Sequence, residues 1–115
     1  FYYADSGLLT ILMILEQIML SLLDLSQFLS FMKDRYPISG ELNTKVADAD
    51  AVLLAIEQAY ARERLEKIDG LSIECDEWRA NIRKSNTEPL VRLNVEAKSK
   101  ELVEAKVKEL MQFIK

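Results

Sequence analysis

No histidine occurs among the 115 residues, so imidazole metal ligands and Ser-His or Cys-His nucleophilic pairs cannot be assembled within this chain. Cysteine occurs once, as Cys75. It cannot staple the fold, and its isolation fits the reducing environment of the cytoplasm, where the protein is expected to reside. An excess of positive charge is also missing: Lys and Arg number 15 against 19 Asp and Glu, a net charge of −4. Nucleic-acid binding normally rests on a basic surface that neutralises phosphates, so no nucleic-acid partner is expected. There is no internal repeat and no low-complexity stretch. An apolar run begins almost at once, but no basic region precedes it and no small-residue cleavage site follows, which excludes a signal peptide of the usual kind. The sequence opens at Phe1 without a methionine, and a cut within a longer protein is expected there.

What is present suits a globular chain: half of the residues are hydrophobic and 30% are charged. From Gly7 to Leu25 nearly every position is apolar, interrupted by Thr10, Glu16, Gln17, Ser21 and Asp24. The length is close to a membrane span, yet Glu16 would sit near the bilayer centre at a cost of about 3 kcal/mol. A helix buried inside a larger protein is the better reading, and no membrane partner is expected. Asp5 or Ser6 can cap its start. A second helix, Ser26 to Tyr36, should end before Pro37 and the turn residues Ser39-Gly40.

Beyond Pro37 the pattern changes. Glu41 to Val46 reads as a short strand, and Asp48 or Asp50 then caps a helix with Val52, Leu53, Ile56, Ala59 and Tyr60 on one stripe. Asp69-Gly70 marks a turn. Leu71–Cys75, Trp78–Arg83 and Leu90–Ala97 alternate apolar with polar residues, as strands of an antiparallel sheet with one covered face do. Ser99 caps a last helix carrying Val103, Val107, Leu110 and Ile114. The expected class is α+β: a helical region over residues 1–36, then a β-α-β-β-β-α domain over 37–115 whose sheet is covered on one face by two helices.

The stretch Arg83-Lys84-Ser85-Asn86-Thr87-Glu88-Pro89-Leu90-Val91-Arg92 is the chemically informative one. It joins two strands, and alternation puts Arg83 and Arg92 on the face opposite the apolar residues. Two guanidinium groups, the Ser85 and Thr87 hydroxyls and turn amides can surround a tetrahedral dianion. They can equally form an ordinary polar hairpin with solvated arginines. Other residues have plainer readings. Arg79 can reach the same face as a further anion donor, or be solvated or in a salt bridge. Cys75 is a small core residue, Trp78 anchors the sheet, and Lys100, Lys106 and Lys108 lie on a solvated helical face.

Arg83-x-Ser85-Asn86-Thr87-Glu88-Pro89-x-x-Arg92 resembles the phosphate-binding loop of the α-D-phosphohexomutase superfamily. Asp69-Gly70, Trp78-Arg79 and Val95-Glu96 are similar to its surroundings. Tyr2-Tyr3-Ala4-Asp5-Ser6-Gly7 resembles the opening of a helix in the family's third domain, and Tyr36 with Ser39-Gly40-Glu41-Leu42-Asn43 resembles the connection into the fourth. The likeness runs along the whole chain in order. Asn86 stands where phosphoglucosamine mutases usually have glycine, so the loop is more similar to the phosphomannomutase/phosphoglucomutase branch.

The resemblance implies a four-domain enzyme that interconverts hexose 1-phosphates and 6-phosphates through a phosphoserine in its first domain. A Mg²⁺ ion held in the second domain assists, and a loop in the third reads the sugar. The fourth grips the phosphate that is not being transferred. Carried over, Arg83, Ser85, Asn86, Thr87 and Arg92 are the expected ligands of that phosphate. Some forms of the family carry the second arginine two residues further along, where this chain has Asn94, so Arg83 is the firmer of the two arginines. The phosphoserine, metal and sugar loops have no counterparts here. No catalytic residue and no metal ligand is therefore expected in this chain, which alone should be inactive and should self-associate through its apolar helix. Its implied partners are a hexose phosphate and the remaining domains. The competing reading is a free-standing helical/α+β interaction module without a catalytic role.

Overall fold

Backbone capping decides where the first helices begin and end. The computed structural model describes residues 6–114, without the side chain of Phe31. Tyr2 to Asp5, with the alternative cap Asp5, lie outside the described residues. Ser6 takes the cap of α1 (Gly7–Ser21), its Oγ accepting from the Leu9 amide at 3.3 Å. The helix is shorter than its apolar run. Leu22 turns left-handed (φ 57°), and Asp24 and Gln27 form a reciprocal capping box: the Gln27 amide donates to Asp24 Oδ1 at 2.8 Å and the Asp24 amide to Gln27 Oε1 at 3.0 Å. That box starts α2 (Leu25–Arg35). Among the described residues no single helix is long and apolar enough to cross a membrane. The α1–α2 pair, bent by 105°, passes that test by length and composition only.

The described residues divide into two compact units between Arg35 and Tyr36. In the first, no residue of α1 is buried, and Leu8, Ile11, Leu12, Met13, Met19 and Leu20 are exposed. The second contains β1 (Leu42–Lys45), α3 (Ala49–Ala59), β2 (Arg64–Glu66), β3 (Leu71–Glu74), β4 (Trp78–Lys84), β5 (Leu90–Ala97) and α4 (Lys100–Leu110). Its five strands form an antiparallel sheet in the order β1-β5-β4-β3-β2. The α+β class with a one-sided antiparallel sheet is as the sequence led one to expect, and β2 is an addition to it. With a single apolar residue, Leu65, in a charged segment, β2 has no periodicity to reveal it. Pairing with β3 and a 3.2 Å ion pair from Arg64 to Glu74 define it instead.

The alternating residues Leu71, Ile73, Trp78, Ala80, Ile82, Val91, Leu93 and Val95 form the covered sheet face. Val52 and Ile56 of α3, Val103 and Leu110 of α4, and Ile114 pack on it. Each fully buried Ile or Leu contributes roughly 1.5–3 kcal/mol, so this face is what closes the domain. Asp48 and Ser99 cap the two helices, Asp48 Oδ1 accepting from the Ala51 amide at 3.0 Å and Ser99 Oγ from Leu102 at 3.2 Å. The connection into β1 is stitched to β5: the Ser39 amide donates to the Val95 carbonyl at 2.8 Å and the Ala97 amide to that of Pro37 at 3.2 Å.

A polar latch joins the two helices. The Tyr60 hydroxyl donates to Glu109 Oε1, Lys106 Nζ donates to Glu109 Oε2 at 2.8 Å, and the same ammonium sits 4.6 Å from the Trp78 ring centroid. Lys106 is thus half-buried rather than part of a solvated lysine face. Cys75 is only partly enclosed; its thiol donates to Glu63 at 3.4 Å, and burial pushes its pKa up to about 11.

Two outcomes are expected. Lys106, and then Tyr60, hold the Glu109 carboxyl below its ordinary value of 4.5. The stabilisation is present above that unfolded-state value and is lost as pH falls through the lower folded one. Tyr60→Phe should cost about 1 kcal/mol at neutral pH, the bond being partly exposed. The difference from wild type in thermal melts should shrink as pH falls below 4.5 and through the lower folded value. Gly70 has φ +83°, and a Cβ there would meet the Ile82 carbonyl and lie 2.6 Å from Arg83 Cβ. Gly70→Ala should therefore destabilise by at least about 1–2 kcal/mol in chemical denaturation and displace Arg83.

Candidate functional site

The β4–β5 hairpin determines where the expected ligands stand. Its register places Arg83 directly opposite Arg92, and Arg92 in turn opposite Asn43 of β1. These side chains lie on the face away from the helices. Like charges directly opposite one another in a sheet repel. The Glu41 carboxylate, just before β1, answers both: Arg83 Nη2 donates to its Oε2 at 3.3 Å and Arg92 Nη1 to its Oε1 at 3.4 Å. Asn43 Nδ2 donates to Oε1 at 3.2 Å. The Asn43 bond and then the two arginines hold the Glu41 carboxyl below the usual carboxylate value, against some desolvation. Asp69 gives Arg83 a second anionic contact at 3.4 Å.

The turn between the strands is organised by Ser85. Its amide donates to the Leu90 carbonyl at 3.0 Å, and its Oγ accepts from the amides of Thr87 and Glu88, each at 3.3 Å. The Ser85 and Thr87 hydroxyl oxygens stand 3.4 Å apart. The Val46 amide ties the turn to the end of β1 through the Pro89 carbonyl at 3.2 Å. Arg83 and Asn86 both line an open cleft of about 360 Å³, with Leu53, Lys67, Asp69 and Gly70 on its other walls. Lys84 points to Asp50, at 2.7 Å.

The expected residues therefore fall into two sets: the arginine pair on the sheet, and the Ser85–Thr87 turn. Among the described residues no hydrogen bond links either arginine to Ser85, Asn86 or Thr87. Within that same range, Arg92 Nε is the one enclosed side-chain nitrogen or oxygen without a hydrogen-bond partner. Arg79 pairs with Glu96 at 3.4 Å, both side chains being exposed. Sequence reasoning did not foresee Glu41 and Asp69 as partners of the arginines. The signal for Glu41 was its position two residues before Asn43, on the polar face of an edge strand. For Asp69 there was only a turn residue, since the pairing of β3 with β4 is needed to bring it near Arg83.

The family described as phosphoglucomutase/phosphomannomutase, C-terminal domain, matches residues 41–112. A phosphomannomutase of Salmonella montevideo is 38% identical over 117 residues, covering 99% of this chain and 26% of that protein. A phosphomannomutase of Vibrio cholerae is 41% identical over 119 residues, covering 100% of this chain and 26% of the relative. A phosphomannomutase of Methanocaldococcus jannaschii is 41% identical over 80 residues, 70% of this chain and 18% of that one. The chain thus spans about a quarter of the length of the first of these curated relatives. With the match extending from Glu41 through the Arg83–Arg92 hairpin to α4, the chain belongs to the phosphoglucomutase/phosphomannomutase family and carries its C-terminal domain.

Proposed function

We propose that this chain grips the non-transferred phosphate of a hexose phosphate, as part of a phosphohexomutase whose chemistry is performed by residues it does not contain. The observation that carries the reading is the forced juxtaposition of Arg83 and Arg92 beside a turn rich in donors. Two guanidinium forks match the geometry and charge of a phosphate monoester dianion. The Ser85 and Thr87 hydroxyls, the Asn86 amide and the backbone N–H groups of the turn add neutral donors. Held at one end, the substrate is positioned for a phosphoryl transfer at the other, which turns remote binding energy into rate.

The family implies Mg²⁺, which supplies charge neutralisation at the transferring phosphoryl group. Among the described residues no group of three or more His, Cys, Asp or Glu side chains stands together. The described residues of this chain do not fit a metal centre.

Titration with inorganic phosphate, glucose 1-phosphate and mannose 1-phosphate, followed through the Ser85–Thr87 amide resonances, should move the same signals in all three cases. Arg83→Ala should weaken phosphate binding about ten- to a hundredfold, the worth of a charge-assisted bond of about 1.5–3 kcal/mol, without unfolding the domain. Resonances that ignore millimolar phosphate would overturn the reading. A clear preference for one sugar would overturn the division of labour between this chain and the rest of the enzyme.

The exposed apolar face of α1 supports a second expectation, that the chain pairs with another surface when alone. Light scattering at micromolar concentration should report a dimer or larger species, and removal of residues 1–36 should yield a folded monomer. A monomeric complete chain would refute this.

A further inference from the structure

We propose that Glu41 is a built-in counter-anion that occupies the arginine pair until phosphate displaces it, and so sets the affinity of the site. The inference rests on the phosphate reading above and adds a residue that the expected ligand set lacks. Pairing of β4 with β5 brings Arg83 and Arg92 together whether or not a ligand is bound. Without an anion the two guanidinium groups would repel each other across the sheet. Glu41 is the side chain that meets this demand at both arginines, one carboxylate oxygen to each. Asn43, fixed on β1, aims that carboxylate by donating to Oε1.

The hold is suited to exchange. Both contacts exceed 3.2 Å, and the three side chains retain 32–37% of their exposure. Exposed pairs of this kind are individually weak, whereas a phosphate dianion carries more charge and three acceptor oxygens. Glu41 precedes β1 and its side chain is partly exposed, so rotation about its own side-chain bonds withdraws the carboxylate without disturbing β1. Asp69 meets Arg83 through the other guanidinium nitrogen, Nη1, a contact that does not depend on Glu41. Arg92 Nε is enclosed and is left without a hydrogen-bond partner by Glu41.

Displacement makes a prediction opposite in sign to simple preorganisation. Removing a competitor tightens phosphate binding; removing a scaffold loosens it. Isothermal titration of inorganic phosphate into the 115-residue chain should show Glu41→Gln binding about three- to tenfold more tightly than wild type, the scale of two exposed ion pairs. Glu41→Ala should move affinity in the same direction. Asp69→Asn, which leaves Glu41 in place, should change it less. Trp78 fluorescence checks that each variant is folded. Equal or weaker binding by folded Glu41→Gln, with wild type binding phosphate, would overturn the counter-anion and leave the phosphate reading intact. Absence of binding by wild type and both Glu41 variants would overturn the phosphate reading, and this inference with it.

Discussion

The cross-strand opposition of Arg83 and Arg92 is the constraint on which the polar face of the domain depends. Antiparallel register leaves neither arginine a choice of neighbour. Two like charges so placed need acidic partners. The chain supplies Glu41 from the approach to β1 and Asp69 from the turn before β3, so the charges of the four side chains cancel. The elements that frame the arginines are thereby selected. β1 must pair with β5 to bring Asn43 and Glu41 within reach, and β3 must pair with β4 to bring Asp69. The polar site and the sheet order β1-β5-β4-β3 are thus two consequences of the same pairings.

The opposite face supplies the rigidity that such an arrangement requires. Ile82 and Leu93 flank the arginines in sequence, point the other way and are essentially fully buried. Because side chains alternate along a strand, burial of Ile82 and Leu93 holds Arg83 and Arg92 outward; a register slip of one residue would exchange them. The arginines are therefore positioned by hydrophobic packing on the far side of the sheet rather than by their own ion pairs, which are partly exposed and weak. Gly70 extends this logic to the neighbouring strand. Only the lack of a side chain there lets the backbone before β3 approach Arg83 so closely.

Much of this was legible in the sequence because period-2 alternation is strong where one sheet face is buried. Strands β3, β4 and β5, the helices after Asp48 and Ser99, and the outward direction of both arginines follow from that pattern. Elements held by pairing or local polar bonds left no such trace. β2 is defined by its neighbour, and the break after Ser21 comes from a capping box inside an apolar run. Among the site residues, the sequence reading had Arg83, Ser85, Asn86, Thr87 and Arg92 as one cluster. Strand geometry governs the arginine pair and backbone hydrogen bonds the turn organised by Ser85, with Arg83 and Asn86 lining one cleft. Glu41 and Asp69 escaped notice since they meet Arg83 across sequence separations of 42 and 14 residues.

An alternative way of holding an anion is visible nearby, and the chain has closed it. The N-terminus of α3 borders the same cleft, and helix N-termini attract phosphate. Here Asp48 accepts from the Ala51 amide and Asp50 occupies the first turn, so acidic side chains already answer the dipole. Asp50 also engages Lys84, the cation next in sequence to Arg83. A phosphate approaching from that side meets two carboxylates, and Lys84 already has a partner. The arginines and the Ser85–Thr87 turn are donors contributed by one hairpin. Concentrating the donors on a single rigid hairpin fixes the distance between guanidinium groups and turn amides. On the proposed phosphate-gripping role, anion recognition is a property of β4–β5 pairing, with the acidic start of α3 disfavouring approach from its side.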